Sequence, residues 1–440
     1  MKYPRHGISL ISILFLTVSL LQAQSLSLDL DQALDMARQN NLGLKSNMID
    51  IRAAQRDQDT SWNLFLPSVS ANLSQRGATE LFHDTSSLSP TFAQANYLSG
   101  IGVGLNVSLT LNPAVKEQLH SYDLNFSLQQ VTYAQALAEV ERNVTKSFYY
   151  LLAEKNNLEL QQGNLEMAEK QFAKVSVNFE RGFASELELL SSQLGVERLK
   201  PSYQQSLNAY RTQLLGFKVL LGLPLDSELE LVGELPDQKL SVGADSLRNQ
   251  VSSALAFTLL DMNIVSLENT MRLQRRSSLG PSLRLTGDYT VQTGGRAGGN
   301  STEWGDSLSY SVAVSIPLDG HIPNSRTQVS LAKIQDSIDK LQLNKQQTRT
   351  QLEQSVIMQV QNLENLIGQM EVARANRSLT ERVYGMTVAQ YEAGYTDYLA
   401  VEDAQHDLFS AEQNILYLQY QYASALVDLA YDLNIDIAQL

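Results

Sequence analysis

The fold that we predict is decided by two ten-residue stretches, which read NFERGFASEL at 178–187 and QYEAGYTDYL at 390–399. They share an aromatic residue at the second and sixth positions, glutamate at the third, glycine at the fifth and leucine at the tenth. They lie 212 residues apart. Glycine at the end of a helical stretch suits a left-handed cap. The sequence therefore predicts a helix end and a tight turn at Gly182 and again at Gly394.

The same spacing extends along the chain and indicates a tandem duplication. At the offset of 212, Leu151 matches Leu363 and Tyr210 matches Tyr422. Further matches at slightly different offsets are LPSV at 66–69 with GPSL at 280–283, and VSLTL at 107–111 with VSIPL at 314–318. Small changes of offset are what loop insertions would produce.

We predict two repeats, 24–235 and 236–440, each ordered as helix, strand, loop, strand, very long helix, turn and long helix. The expected strands are about 66–76, 101–112, 282–292 and 307–318, and the expected helical hairpins are about 113–222 and 324–433. The fold class is thus mainly α, with four β-strands per chain.

The long helices are predicted from apolar residues that recur every seven positions, a coiled-coil signal. In the first repeat these are Leu137, Val144, Leu151, Leu158, Leu165, Phe172 and Phe179. In the second they are Val356, Leu363, Met370, Tyr384 and Tyr391, with Arg377 interrupting the series. A helix of about 68 residues would be about 100 Å long. Pro201 predicts a kink or break in the first returning helix.

The strands are predicted from strict alternation, with apolar residues on one face and small polar residues on the other. The longest example is IGVGLNVSLTLN at 101–112. Strands of this length suit a tilted bilayer crossing, and the polar face suits a wet interior. A half-buried soluble sheet alternates in the same way, although its strands are usually shorter. Aromatic residues near the strand ends fit interfacial girdles: Trp62, Phe65, Phe92, Tyr97, Tyr289, Trp304 and Tyr310.

Four strands cannot close a membrane barrel, because known barrels begin at about eight strands and every strand edge in lipid must be paired. If the strands lie in a membrane, the chain must oligomerise. Two copies would supply eight strands and three copies would supply 12. An open lumen wide enough for cargo favours the larger number.

The first 23 residues have the pattern of a cleaved secretory signal. Lys2 and Arg5 precede an apolar run at 8–21, and Ala23 is a small residue at the expected cleavage site. The alternative is a membrane anchor, which needs about 20 apolar residues. Cleavage would remove two positive charges and change the net charge from −14 to −16.

Composition and spacing exclude several other classes of function. The acidic balance argues against nucleic-acid binding, and the absence of cysteine excludes thiol nucleophiles and thiolate metal sites. None of the five histidines lies four residues from another, so no helical metal pair is predicted. The glycine-rich stretch 294–300 lacks the Lys-Ser/Thr of a phosphate loop. We therefore expect no enzymatic activity, no cofactor and no metal.

Taken together, these features resemble the TolC-like outer membrane efflux family over nearly all of the mature sequence. The resemblance rests on the duplicated unit, the opening ALDMARQNN at 33–41, Leu66-Pro67 before the first strand, and the turn YEAG at 391–394 followed by Leu399 and Asp403. It implies a homotrimer with a 12-stranded outer membrane β-barrel joined to a periplasmic α-helical barrel. It also implies a passive exit duct in an efflux or type I secretion system. The implied partners are outer membrane lipid, a periplasmic adaptor and an inner-membrane transporter of the RND, ABC or MFS class.

The resemblance also implies two sets of functional residues. The hairpin tips, which would contact the adaptor, are Arg181, Gly182, Phe183, Ala393, Gly394 and Tyr395. The acids of the periplasmic entrance would be Glu186, Glu188, Asp397, Glu402 and Asp403. Well-known members carry two rings of aspartate, but Ala400 occupies one of these positions here. We therefore expect a weaker cation preference than in a two-ring member. Ordinary turn chemistry and a solvated helix face are the alternatives for these two sets.

The alternative class is a secreted periplasmic or surface coiled-coil protein with a structural or tethering role. It would explain the seven-residue repeats and the secretion signal. It would not explain why alternating strands recur at the same place in both halves of a duplicated chain.

Overall fold

A computed structural model describes residues 26–76, 98–236, 247, 250–251, 254–296 and 303–437. The predicted signal 1–23 and two of the predicted girdle residues, Phe92 and Tyr97, lie outside the described residues. The chain forms two compact units, which are treated separately below. Unit 1 comprises Met1–Asn41, Asn143–Asp237 and Met370–Ala423, and unit 2 comprises Leu42–Arg142, Gln238–Gln369 and Ser424–Leu440.

The described elements follow the predicted order of parts. The α-helices are α1 (Leu30–Asn40), α2 (Leu42–Asp59), α3 (Val115–Glu180), α4 (Glu186–Leu221), α5 (Leu255–Leu279), α6 (Arg326–Glu392) and α7 (Tyr398–Leu433). The strands are β1 (Leu26–Leu28), β2 (Ser68–Arg76), β3 (Leu98–Leu111), β4 (Leu229–Leu231), β5 (Ser282–Arg296) and β6 (Glu303–Ser315). Within these residues, no helix has an apolar stretch long enough to cross a membrane.

The four long strands form one antiparallel sheet in unit 2, in the order β2-β3-β5-β6. Its register aligns apolar residues with apolar residues on every strand. Val103 of β3 lies opposite Leu73 of β2 on one side and Val291 of β5 on the other. Leu285 of β5 lies opposite Val312 of β6. The alternation in the sequence thus becomes one continuous apolar face.

The opposite face of the sheet is lined by small polar side chains that bond across the strands. The Ser68 and Ser108 hydroxyls lie 2.7 Å apart, as do those of Thr286 and Ser311. Asn106 donates from Nδ2 to the Asp288 carboxylate. Glycine at 102 and 104 leaves room for the side chains of Ser74, Asn72 and Thr290 on neighbouring strands. The polar face is therefore held together by hydrogen bonds, whereas the apolar face makes none.

The long helices pack through the predicted seven-residue positions, although not along their whole length. The buried members are Val144, Leu151, Leu158, Val356, Leu363 and Met370. Towards the end of α3, Phe179 is exposed, and Ala168 and Val175 are the buried residues instead. A helix of 3.6 residues per turn drifts steadily against a seven-residue repeat, which explains the change of face.

Arg377 replaces an apolar side chain in the series of α6 because it has acidic neighbours. Its Nη2 lies 3.1 Å from Glu412 Oε1 on α7, and its Nη1 lies 3.3 Å from Glu381 Oε2. The charge that interrupts the apolar series is therefore compensated within unit 1.

The structure corrects the sequence prediction at two places. The break expected at Pro201 is wrong, because α4 is continuous from Glu186 to Leu221. A single proline removes one amide donor and leaves the bonds on either side intact. The prediction of four strands was also incomplete, since β1 and β4 form a separate parallel pair in unit 1. Three-residue strands are too short to show a period in the sequence.

Candidate functional site at the helical hairpin ends

The two hairpin turns of unit 1 have the same backbone geometry. Gly182 and Gly394 have φ angles of 75° and 78°, in the left-handed region. In the first turn the amide of Phe183 donates to the carbonyl of Asn178 at 2.8 Å, and in the second Tyr395 donates to Gln390 at 2.9 Å. This is the Schellman pattern that ends many helices at glycine. The predicted glycine caps are confirmed in both repeats.

Each turn presents an aromatic ring to solvent directly after its glycine. The side chains of Phe183 and Tyr395 are 82% and 85% exposed. Arg181 and Ala393, the preceding residues, are also exposed. Two large rings at the tips of rigid turns form a small apolar surface of the kind that binds a partner.

Two of the five predicted entrance acids cap helices. Glu188 Oε2 accepts hydrogen bonds from the Ser185 amide at 2.7 Å and the Ser185 hydroxyl at 3.1 Å. The Glu188 amide in turn donates to Ser185 Oγ at 3.2 Å, which completes a capping box. The Asp397 Oδ1 accepts from the amide of Ala400 at 3.0 Å. These carboxylates stabilise the first turns of α4 and α7.

The other three acids differ in their surroundings. Glu186 and Asp403 are exposed, whereas Glu402 is half-buried. Glu402 Oε1 would lie 3.6 Å from a Cβ placed on Gly195, so this carboxylate approaches α4 where a glycine makes room. The structure thus places the five acids in the first turns of the two returning helices.

A cluster of three tyrosines near this end was not predicted as a unit. Tyr384, Tyr391 and Tyr398 are spaced by seven residues, and the rings of the last two meet edge to face at 6.1 Å. Burial raises the pKa of Tyr398 to about 12, with smaller contributions from the neighbouring Glu402 and the other two tyrosines. Burial, and then the charge of Glu188, also raise the pKa of Tyr391. The seven-residue spacing is the signal that could have identified the cluster.

Polar pairs join the two hairpins further along the helices. Gln405 Nε2 donates to Asn164 Oδ1 at 2.7 Å, and Gln413 Nε2 donates to Asn157 Oδ1 at 2.9 Å. Nearer the turns, Lys174 Nζ lies 2.7 Å from Glu392 Oε1. Amide pairs in a helix seam fix the register of the two helices. Within the described ranges, no group of three or more acidic or histidine side chains is arranged to hold a metal ion.

Comparison with known proteins identifies the family. The sequence profile described as "Outer membrane efflux protein" matches residues 33–223 and 269–433. The chain belongs to the outer membrane efflux protein family. Members of this family are channels in the outer membrane with helical periplasmic domains, and they are not enzymes. No curated protein sequence matches the chain.

Solved structures of outer membrane efflux proteins have the same fold at low sequence identity. The CmeC outer membrane channel of Campylobacter jejuni is 16% identical, with a TM-score of 0.71, over 93% of this chain and 88% of that chain. The outer membrane protein VceC of Vibrio cholerae is 14% identical, with a TM-score of 0.69, over 93% and 96%. The MtrE channel of Neisseria gonorrhoeae, solved in its open state, is 17% identical, with a TM-score of 0.70, over 92% and 89%.

Proposed function

We propose that three copies of this efflux protein close a 12-stranded barrel in the outer membrane and form a passive exit duct. The observation that carries the proposal is the open sheet of unit 2. Its outer strands, β2 and β6, are each paired on one side only. An unpaired strand edge in lipid leaves amides and carbonyls without partners, at a cost of several kcal/mol per group. Further copies of the chain can supply the missing partners.

The apolar face of the sheet supports placement in lipid. Large apolar side chains of β6 are exposed in the single chain, and Tyr310 is the most exposed at 86%. The others on that strand include Leu308, Val312 and Val314. The opposite face, with its serines, threonines and Asp288, would line a wet interior. A soluble protein would have to cover such a surface with another element.

The strand directions are compatible with closure by identical copies. Neighbouring strands are antiparallel throughout the sheet, so β2 and β6 also run in opposite directions. Pairing β6 of one copy with β2 of the next would therefore continue the antiparallel pattern. Two copies would give eight strands and three would give 12. The resemblance to TolC-like homotrimers and the need for a lumen favour three.

We infer the duct's periplasmic contacts from the hairpin ends. The exposed Phe183 and Tyr395 would be buried by an adaptor, with Arg181, Gly182, Ala393 and Gly394 forming the backbone of the contact. An inner-membrane RND, ABC or MFS transporter would deliver cargo for efflux or type I secretion. The proposal includes removal of the signal 1–23 and the two repeats 24–235 and 236–440.

The entrance acids suggest a cation preference that we assign chiefly to Asp403. Glu188 and Asp397 are engaged in caps, whereas Asp403 is exposed. Three copies of a carboxylate around a narrow lumen attract cations. Asp403→Ala should reduce cation selectivity and block by divalent cations in planar bilayers, whereas Glu159→Gln, an exposed acid elsewhere on α3, should not. Equal conductance and block in both variants would refute this role.

Fractionation tests the duct against the alternative of a periplasmic tether. We expect the protein in the outer membrane fraction, as a detergent-resistant trimer whose mobility changes on heating. The purified trimer should conduct ions in a planar bilayer. A monomer released with the soluble periplasmic fraction would support the tether instead.

A further inference from the structure

A groove in unit 2 lies where the long strands end and the helices begin. Its volume is about 440 Å³, and it lies between the last turns of α5 and the residue that precedes α3. Three arginines line it, Arg272, Arg275 and Arg276. Pro113 and Leu279 provide an apolar part of the wall. The groove is thus both cationic and partly apolar.

One of the arginines is held in place by a buried acid. Arg276 Nη1 lies 2.9 Å from Glu117 Oε1, and Glu117 is 5% exposed. Asn269 Nδ2 donates to the Glu117 carbonyl at 2.9 Å and fixes the same turn of α3. The second carboxylate oxygen of Glu117 has no hydrogen-bond partner among the described residues. Arg276 is therefore the group that compensates this charge, and it is oriented at the edge of the groove.

The remaining two arginines are available to a ligand. Arg272 reaches Glu268 only at 3.8 Å, with both side chains nearly half exposed. Arg275 is exposed and forms no ion pair with any residue that the structure describes. The groove therefore carries three guanidinium groups against two carboxylates, and the uncompensated charge is at Arg275. Guanidinium groups bind phosphate through two parallel hydrogen bonds.

The groove opens on the same side as the apolar face of the sheet. Pro113 follows Leu111 by two residues, and alternate residues of an extended chain share a face. Leu111 lies opposite Leu283 at the end of the apolar rows. Leu279 packs against Gly320, which follows the exposed Leu318 by two residues in the line of β6. The arginines thus lie directly beyond the surface that we place in lipid.

Exposed apolar side chains surround this end of the sheet. They precede β2 or follow β6, and they are Trp62, Phe65, Leu66, Ile316, Leu318 and Ile322. Tryptophan and other amphipathic or apolar residues at this position are typical of the membrane interface. The strand ends that join the helices would be at the periplasmic leaflet.

We infer that this groove binds the phosphate headgroup of an anionic phospholipid in the periplasmic leaflet of the outer membrane. Arg275 and Arg272 would bind the phosphate, while Pro113 and Leu279 would contact the first carbons of the glycerol and acyl chains. The inference rests on the proposed placement of the sheet in the membrane. It gives each chain a point at which the membrane fixes the junction of strands and helices.

Calorimetric titration of the purified full chain in detergent tests the site. The probes are dihexanoyl phosphatidylglycerol, dihexanoyl phosphatidylcholine and inorganic phosphate. We expect the anionic lipid to bind about tenfold more tightly than the zwitterionic lipid, and Arg275→Gln to weaken its binding by about tenfold, as expected for a charged hydrogen bond. Arg275→Lys should retain part of the affinity.

Arg284→Gln is the matched control, because Arg284 is an exposed arginine on the polar face of β5. It should leave lipid affinity unchanged. Thermal unfolding of each variant checks the fold, and Arg272→Gln provides a second variant if Arg275→Gln is unstable. Equal affinity for the two lipids, or no loss in either variant, would overturn the inference. Inorganic phosphate that binds as tightly as the anionic lipid and displaces it would indicate a free-anion site and overturn the lipid assignment.

The outcome is separable from that of the proposed duct. Outer membrane fractionation and conductance of the wild-type protein decide the duct without reference to this groove. A conducting trimer with no lipid preference would refute the headgroup site alone. A wild-type protein that is absent from the outer membrane would refute the duct whatever its lipid affinity.

Discussion

Gly222 ends α4 at a place where a methyl group cannot be accommodated, so we predict a large destabilisation for Gly222→Ala. Its φ angle is 68°, and a Cβ would lie 2.5 Å from the Asn40 carbonyl oxygen and 2.7 Å from the Asn40 carbonyl carbon. These are backbone atoms at the end of α1, and the adjacent Asn41 donates from Nδ2 to the Leu220 carbonyl at 2.9 Å. Neither helix end can move without breaking that contact.

The magnitude follows from two contributions. A non-glycine residue in the left-handed region costs about 1–2 kcal/mol. Overpacking a tight contact adds about 1–3 kcal/mol. Gly222→Ala should therefore cost about 2–5 kcal/mol. Gly394→Ala has a similar φ angle of 78° but no atom within 4 Å, so it should cost only about 1–2 kcal/mol.

Thermal unfolding of the two purified variants at one heating rate measures the difference. We expect the midpoint of Gly222→Ala to fall clearly below that of Gly394→Ala, which shares the backbone strain without the contact. Equal midpoints would show that the close approach of α1 and α4 contributes nothing, and the reasoning would be refuted.

Three further predictions concern ionisation, capping and the sheet face. Because the pKa of Tyr398 is raised from 10 to about 12, its stabilising effect is complete below pH 10 and is lost as pH rises through 12. Relative to Tyr398→Phe, the wild-type protein should lose about 2–3 kcal/mol over that interval in alkaline unfolding; parallel curves would contradict this. Asp397→Ala should destabilise the first turn of α7 by about 1 kcal/mol in amide exchange, whereas Asp397→Asn, which keeps the capping oxygen, should not. If both variants exchange alike, Asp397 is not acting as a cap. Val312→Arg on the apolar face should cost about 2–4 kcal/mol and reduce outer membrane assembly, whereas Ser309→Arg on the polar face should be tolerated. Equal assembly of these two variants would argue against lipid contact.

The parts of the fold with a sustained period were predictable from the sequence. Alternation at 101–112 and 307–318 indicated the long strands, and the repeat through Leu151 and Leu363 indicated the long helices. The caps at Gly182 and Gly394 followed from glycine chemistry. β1 and β4 could not be predicted, because three residues show no period and their pairing joins residues about 200 positions apart.

The candidate site was less predictable, because residue type alone does not show what a side chain contacts. Glu188 and Asp397 were expected at the entrance as acids, but both are engaged in helix caps. Ser185 followed three residues later by Glu188 is a capping-box pattern that the sequence did contain. The close approach of Glu402 to Gly195 is different, because it depends on the packing of α7 against α4 and has no local signal.

Disulfide cross-linking between copies tests the central claim most directly. The native chain has no cysteine, so introduced residues are the only thiols. Leu73→Cys on β2 would be combined, one at a time, with cysteine at Leu308, Tyr310, Val312 or Val314 on β6. Because bridged residues must have Cα atoms within about 7 Å, the account predicts cross-linking at one register only, with a ladder that ends at three chains. No cross-link at any position, or a ladder that ends at two chains, would contradict the closed trimeric barrel.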